Sequence, residues 1–220
     1  MSKIKNVVSL IMNSLIVIMT VFILTGVFLW NTEKLIKHSY ETFMFFTTDS
    51  NILSAIAALV IVIFQIRILR GKADEIPRWA VILKYIGATS VMVTFATVML
   101  FLGPMYTYFF VLKGNSLYMH LFGPLLALVS IWFFEPYCMI RKREIHLAVL
   151  PMAIYGAVYL TEVLIIGFFG GWDDFYGFNT GGMWYVSISL MIIGTYILAT
   201  VIRLLHNRSV KKRLPQVKNN

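Results

Sequence analysis

Charged residues are scarce in this sequence. Lysine, arginine, aspartate and glutamate make up 13% of the 220 residues, whereas 59% are hydrophobic and the mean hydropathy is +0.80. Soluble domains carry about 25% charged residues. The composition therefore argues against a soluble globular domain and predicts a membrane protein, with residues 1–220 forming a single domain.

Cysteine and ligand-binding motifs are also largely missing. Cys138 is the one cysteine, so an internal disulfide is excluded. No pair of cysteines or histidines has the spacing of metal ligands, and no glycine-rich phosphate loop occurs. We therefore expect neither a metal nor another cofactor. The net charge of +9 comes from basic residues dispersed over short segments, which argues against nucleic-acid binding.

Long hydrophobic runs, in contrast, fill most of the chain. A helix needs about 20 apolar residues to cross the hydrocarbon core. Six stretches reach about this length, at 7–30, 43–66, 80–102, 117–134, 147–169 and 183–202. They lack the alternation of barrel strands. The sequence therefore predicts an all-α membrane protein, a six-transmembrane-helix bundle followed by a basic tail at 205–220.

The basic residues predict the orientation of this bundle. Of the 19 lysines and arginines, 16 fall on one side of the six runs, and only Lys34, Lys37 and Lys113 fall on the other. Basic residues accumulate on the cytoplasmic side of membrane proteins. We therefore expect a multi-pass protein of the cell membrane with both termini in the cytoplasm. The basic tail would be suited to contact anionic lipid head groups.

One short stretch interrupts the second hydrophobic run. "FFTTDSNIL", residues 45–53, places five polar residues in a row where apolar ones are expected. Thr47, Ser50 and Asn51 stand at i, i+3 and i+4 and share a helix face, whereas Thr48 and Asp49 point elsewhere. Serine and threonine in membrane helices often bond to their own backbone, and asparagine often joins two helices. A purely structural role therefore stays open beside a functional one.

Other polar residues reach the same depth from separate helices. At 1.5 Å per residue, the outer half of the bilayer receives side chains from runs two, four and five and from the loop after run five. The members of this layer are Thr47, Asp49, Ser50, Asn51, His120, Glu162 and Asp173. Ionisable groups in a membrane are costly and usually face a bundle interior or a cavity. We therefore predict a polar cavity that opens toward the outer leaflet.

Run four carries a proline four residues after its histidine. Pro124 has no N–H group, so the His120 carbonyl loses its helical partner and the helix is expected to kink there. The inner half of the bundle offers less polarity. Gln65 and Glu135 stand near helix ends, and we expect them, like Lys84, to snorkel to the interface.

Three stretches resemble a known family of six-helix membrane proteins. "FFTTDSNIL" resembles its F-T-x-x-S-N signature, and "MHLFGPLLALVSIWFFEP" is similar to its His-x-x-x-Pro run. Ser130-Ile-Trp132 stands where the family usually has Asp-Trp. "GGWDDFYGFNTGG" occupies the place of an aromatic- and proline-rich segment but lacks those prolines. The family includes the androgen-induced protein and the androgen-dependent TFPI-regulating protein.

The resemblance implies an activity. These eukaryotic relatives hydrolyse fatty acid esters of hydroxy fatty acids inside the membrane, with a threonine nucleophile and a histidine. By motif, the two residues correspond to Thr47 and His120. A threonine hydroxyl needs an adjacent base, and histidine can take its proton near neutral pH. Ser50 or Asn51 would donate to the oxyanion, and Asp49, Glu162 or Asp173 would orient the imidazole.

Two functions follow, and they belong to different classes. The first is a lipid esterase, or an acyltransferase that uses the same covalent step, with membrane lipids or a fatty-acyl ester as the substrate. The second is a proton- or ion-coupled transporter that uses Asp49, His120 and Glu162. A carrier needs a polar path to the inner side as well. Because the inner halves of the runs look apolar, the sequence favours the enzyme, while a structural role without chemistry stays open.

Overall fold

The computed structural model describes residues 3–29 and 40–213 and is all-helical over these ranges. Six helices are long and apolar enough to cross a membrane, which confirms the predicted multi-pass six-helix bundle. They are α1 Lys3–Leu29, α2 Phe46–Leu69, α3 Arg78–Tyr106, α4 Asn115–Phe134, α5 Lys142–Ile165 and α6 Trp184–Lys211. Trp30, at the predicted end of the first run, and residues 214–220 of the predicted tail lie outside the described ranges.

Helix α3 forms the centre of the bundle. Nearly every residue between Ala80 and Thr94 is buried, and the helix contacts α2, α4, α5 and α6. Small residues bring α2 and α3 close together, because a Cβ atom built on Gly87 would lie 3.0 Å from the Ser54 Cα and 3.2 Å from the Ala57 Cβ. Close backbone approach through small residues is typical of membrane helix pairs, where lipid offers no hydrophobic drive for association.

Helix α6 extends nine residues beyond its predicted end at 202. Ile202, His206 and Val210 are buried at four-residue spacing, so the stretch assigned to a basic tail continues as a helix with one face inward. The His206 ring contacts the carbonyls of Ile131 and Cys138, each at 2.9 Å. The Asn207 side chain exchanges two hydrogen bonds with the Ile140 backbone. The helix therefore fixes the segment that links α4 to α5.

Two π-helical turns precede Gly-Pro pairs. In α3 the turn Val98–Leu102 precedes Gly103-Pro104, and in α4 the turn Tyr118–Phe122 precedes Gly123-Pro124. The Gly123 N–H bonds to the Tyr118 carbonyl, five residues back. A proline cannot donate to the carbonyl four residues back, and the wider turn accommodates this gap. The expected break near His120 is thus a π-turn that contains the histidine.

Candidate functional site

Hydrogen bonds within α2 and to the two helices α3 and α4 hold the polar stretch of α2 in place. The Ser50 hydroxyl lies 3.1 Å from the Thr47 carbonyl and 3.0 Å from the Thr94 hydroxyl of α3. The Asn51 amide donates to the Thr47 carbonyl at 2.8 Å and to the Met119 carbonyl of α4 at 3.2 Å. Both side chains are almost fully buried. Ser50 and Asn51 therefore position the backbone, and their hydrogens are not directed at an oxyanion.

Thr47 lines a small cavity at this level. The cavity has a volume of about 40 Å³, which is room for one to a few water molecules. Its polar lining includes Thr94, Thr97, Tyr155 and Tyr176. The Thr47 hydroxyl has no hydrogen-bond partner among the described residues. Of the two adjacent threonines, Thr47 is the one that reaches this cavity.

His120 lies in the π-turn of α4 and is anchored through one ring nitrogen. Its Nδ1 lies 2.7 Å from the carbonyl oxygen of Val111, in the short helix Tyr108–Val111. A carbonyl oxygen can only accept, so Nδ1 carries the hydrogen and Nε2 of the neutral ring keeps its lone pair. This tautomer is the one that a general base on Nε2 requires.

The structure connects Thr47 and His120 only through an intermediate residue. No hydrogen bond joins their side chains within the described ranges, and His120 does not line the Thr47 cavity. Asn51 links them instead, since its amide bonds both to the Thr47 carbonyl and to the carbonyl of Met119, next to His120. Gly123 leaves room for this contact, because a Cβ atom there would lie 3.1 Å from the Asn51 Oδ1.

The three acids proposed to orient the imidazole lie elsewhere. Asp49 is half-buried on a groove between α3 and α5, Glu162 is half-buried in the π-turn Thr161–Ile165, and Asp173 is exposed. None of them bonds to His120 in the part of the chain that the structure describes. The Val111 carbonyl occupies the place that an orienting carboxylate would take.

The neighbouring acid, Asp174, has the structural role that sequence reasoning missed. Its carboxylate accepts hydrogen bonds from the Tyr159 hydroxyl at 2.9 Å and from the Phe178 and Asn179 N–H groups, both at 2.8 Å. Asp side chains that bond to the backbone a few residues ahead are common in glycine-rich loops. Asp174 therefore folds residues 170–183 back onto the bundle, and this segment is called the outer loop below.

The outer loop forms one wall of the Thr47 cavity. Its aromatic side chains pack around Tyr155 and Tyr159 of α5, and Tyr176 and Phe178 line the cavity itself. Burial raises the pKa of Tyr176 to about 12, so its phenol stays protonated near neutral pH and can donate a hydrogen bond. The aromatic richness of "GGWDDFYGFNTGG" was the available signal for this role.

A lateral groove leads toward this cavity from the surface of the bundle. It has a volume of about 500 Å³ and, apart from Asp49, is lined mainly by apolar residues of α3 and α5. Tyr155 lines both the groove and the Thr47 cavity. A second groove of about 660 Å³ shares Leu83, Ile86 and Leu147 with the first and reaches Arg78 at the N-terminal end of α3. An apolar path therefore follows the bundle surface from its basic end to Tyr155.

The half of the bundle at its basic helix ends is more polar than the sequence indicated. Gln65, Lys84 and Glu135 were expected to snorkel, but each is 1% exposed. With Ser9 and Asn13 of α1 they form a hydrogen-bonded group in the core, which is called the inner cluster below. The sequence missed it because its members come from separate segments of the chain, and only helix packing brings them together.

No group of three or more His, Cys, Asp or Glu side chains is placed to hold a metal ion within the described ranges. Comparison of the chain with protein-family models, with curated proteins and with solved structures gives no match. A functional proposal therefore rests on the geometry of the site and on the motif resemblance.

Proposed function

We propose that the protein is an intramembrane hydrolase of long-chain acyl esters, with Thr47 as the nucleophile and His120 as the general base. One observation carries the proposal. Thr47, whose hydroxyl has no hydrogen-bond partner among the described residues, lines a cavity together with other hydroxyl-bearing side chains. It stands one turn from Asn51, which bonds to the residue before a histidine with a free Nε2 lone pair. The motif resemblance selects the same two residues.

The proposed reaction uses these two residues. His120 Nε2 takes the proton of the Thr47 hydroxyl, either directly or through one water molecule, as the threonine oxygen attacks the ester carbonyl. Imidazolium then gives the proton to the leaving alcohol, and an acyl-threonine remains. Water attacks this acyl group by the reverse route and releases the acid. If an alcohol takes the place of water, the same step is an acyl transfer.

Hydroxyl donors for the oxyanion come from the cavity wall. Ser50 and Asn51 already donate hydrogen bonds to backbone carbonyls. Thr97, Tyr155 and Tyr176, in contrast, line the cavity beside Thr47. Preorganised donors in a site shielded from water stabilise the developing charge strongly. We assign this role to the Tyr176 phenol, because burial keeps it protonated.

The substrate enters from the bilayer in this proposal. Residues Leu147 to Val158 of α5 line the lateral groove and cover about 16 Å of helix. This distance is close to half of the roughly 30 Å hydrocarbon core, which is the depth of one leaflet. An acyl chain in the groove would bring its ester to Tyr155, beside the Thr47 cavity. We place the basic helix ends and both termini in the cytoplasm, and the cavity in the outer half of a cell membrane.

One observation weakens the transporter alternative and another favours it. Asp49, His120 and Glu162 lie in separate surroundings, and no hydrogen bond joins them within the described ranges. The sequence argument against a carrier, however, rested on an apolar inner half, and the inner cluster contradicts it. Proton chemistry in this protein would therefore centre on the inner cluster.

Hydrolysis of long-chain nitrophenyl esters by the purified protein tests the proposal. Removing a general base costs about 10²–10⁴-fold in rate. Thr47→Ala and His120→Ala should each lose at least this much, and the double variant should be no worse, because the two residues act as one unit. Thr48→Ala is the matched control and should keep most activity. Full activity in folded Thr47→Ala protein would remove the covalent mechanism.

A further inference from the structure

The inner cluster joins one acid and one amine in the core of the bundle. Lys84 Nζ donates to Asn13 Oδ1 at 2.6 Å, and the Asn13 amide donates to Glu135 Oε1 at 2.5 Å. Lys84 and Glu135 form no direct ion pair among the described residues. Asn13 therefore stands between two groups that would attract each other strongly if both were charged.

Only one oxygen of Glu135 accepts hydrogen bonds, as in a protonated acid. Its Oε1 receives the Ser9 hydroxyl at 3.0 Å and the Asn13 amide, whereas its buried Oε2 has no partner. A carboxylate accepts at both oxygens, but a carboxylic acid accepts at one and donates from the other. The buried Gln65 Oε1 also has no partner, and Gln65 and Glu135 both bond to Ser9, so Gln65 Oε1 would be the acceptor for this O–H.

The hydrogen bonds of Lys84 are those of a neutral amine. An ammonium group has three hydrogens to donate. Lys84 Nζ has a single acceptor, Asn13 Oδ1, within the described ranges, and the side chain is 1% exposed. A buried charge that lacks hydrogen-bond partners is costly, and such groups become neutral instead. Both ends of the cluster thus point to the uncharged form.

We propose that the inner cluster is a proton-exchange site in which Glu135 and Lys84 are held as an uncharged acid–amine pair. Relative to the ion pair, one N–H bond of Lys84 is broken and one O–H bond at Glu135 Oε2 is formed, so the net charge is unchanged. A proton from the basic end of the bundle then binds to the free amine, or leaves from the acid. This site is independent of Thr47 and would serve proton-coupled transport or proton-linked control.

The surroundings supply a route and few competing charges. The Tyr137 hydroxyl, 3.0 Å from Gln65 Nε2, belongs to a partly exposed residue and connects the cluster to the surface. Helices α1 and α2 contribute neutral side chains to the cluster, namely Ser9, Asn13 and Gln65. Lys84 is the basic group of the cluster, Tyr137 interacts with Arg213, and His206 bonds to the carbonyl of Cys138, three residues after Glu135.

Infrared difference spectroscopy of the full chain in lipid nanodiscs tests the proposal. At neutral pH, the wild-type protein should show the carbonyl stretch of a protonated carboxylic acid. This band should disappear in Glu135→Gln and persist in the control Glu75→Gln, which removes an exposed acid. Transfer to D₂O should shift the band, because an exchange site communicates with bulk water.

Two further variants make each outcome decisive. In the proposed neutral pair, Lys84→Met leaves the band in place. If the wild type lacks the band and Lys84→Met gains it, the cluster is a fixed ion pair and the proposal is wrong. Should Glu135→Gln fail to fold, Ser9→Ala assigns the band instead, since losing the hydrogen bond to Oε1 must raise its frequency. The proposal is also overturned if the frequency of the band is unchanged in Ser9→Ala, or if the band does not shift in D₂O.

Discussion

The side chain of Asn51 shows how a single residue can fix the geometry of this site. Its two amide hydrogens bond to carbonyls of two different helices, next to Thr47 on one side and next to His120 on the other. Buried polar bonds of this kind hold membrane helices at a fixed register. Asn51 therefore fixes the position of Thr47 relative to the segment that carries His120, and it does not line the cavity.

Tyr176 provides the first residue-level prediction. Tyr176→Phe removes a protonated phenol from the Thr47 cavity and keeps the ring. If this phenol donates to the oxyanion, the rate constant for ester hydrolysis should fall about 10²-fold with little change in KM. Steady-state kinetics measure the effect. Tyr185→Phe, at an exposed tyrosine of α6, should behave like the wild type. Equal rates for both variants would exclude Tyr176 as the donor.

The sequence was sufficient to predict some residues of the candidate site and not others. Thr47 and Asn51 could be selected because they lie four residues apart on one helix face, and this spacing survives folding. Tyr176 and Val111 could not be selected in this way. The contact of Tyr176 with Phe46 and that of Val111 with His120 depend on how the loops pack against the bundle. The sequence suggested only acidic side chains to orient His120, because a backbone carbonyl such as that of Val111 leaves no signature in the sequence.

At the level of elements, the outer loop is the least regular part of the site. It has no helix longer than a single turn, and Asp174 accepts three hydrogen bonds that fold it over Tyr159. The aromatic residues of the loop then pack against α5 and close the cavity wall. One carboxylate thus accepts three hydrogen bonds that hold the loop, in addition to its aromatic packing.

Two adjacent aspartates allow a matched test of this dependence. Asp174→Ala removes a charged acceptor of three hydrogen bonds and should lower the free energy of unfolding by at least about 2 kcal/mol. Asp173→Ala, at an exposed neighbour, should stay within about 0.5 kcal/mol of the wild type. Thermal unfolding in detergent, together with limited proteolysis of the loop, measures both. Equal stability of the two variants would show that the loop is held in another way.

At the scale of the whole molecule, polarity is distributed over both halves of the bundle. The hydrophobic runs were enough to predict six helices, since length and composition decide whether a segment can span a membrane. They did not indicate the inner cluster. Lys84 and Gln65 each look like an isolated polar residue near a helix end, and only helix packing shows that α1 covers them. Depth along one helix therefore does not determine burial.

The orientation of the whole chain remains a prediction from its basic residues. Both termini and the loops near Arg70 and Lys142 should face the cytoplasm. A C-terminal alkaline phosphatase fusion should then be inactive, because the enzyme folds only outside, and a C-terminal green fluorescent protein should be bright. The opposite pair of results would move the Thr47 cavity to the inner half of the membrane.

The identity of the nucleophile is tested most directly by a covalent adduct. A fluorophosphonate probe reacts with an activated hydroxyl, with loss of fluoride, and peptide mass spectrometry then locates the modified residue. We predict a single adduct on Thr47, absent in Thr47→Ala, strongly reduced in His120→Ala and retained in Thr48→Ala. An adduct on another residue, or no labelling of folded wild-type protein, would contradict Thr47 as the nucleophile.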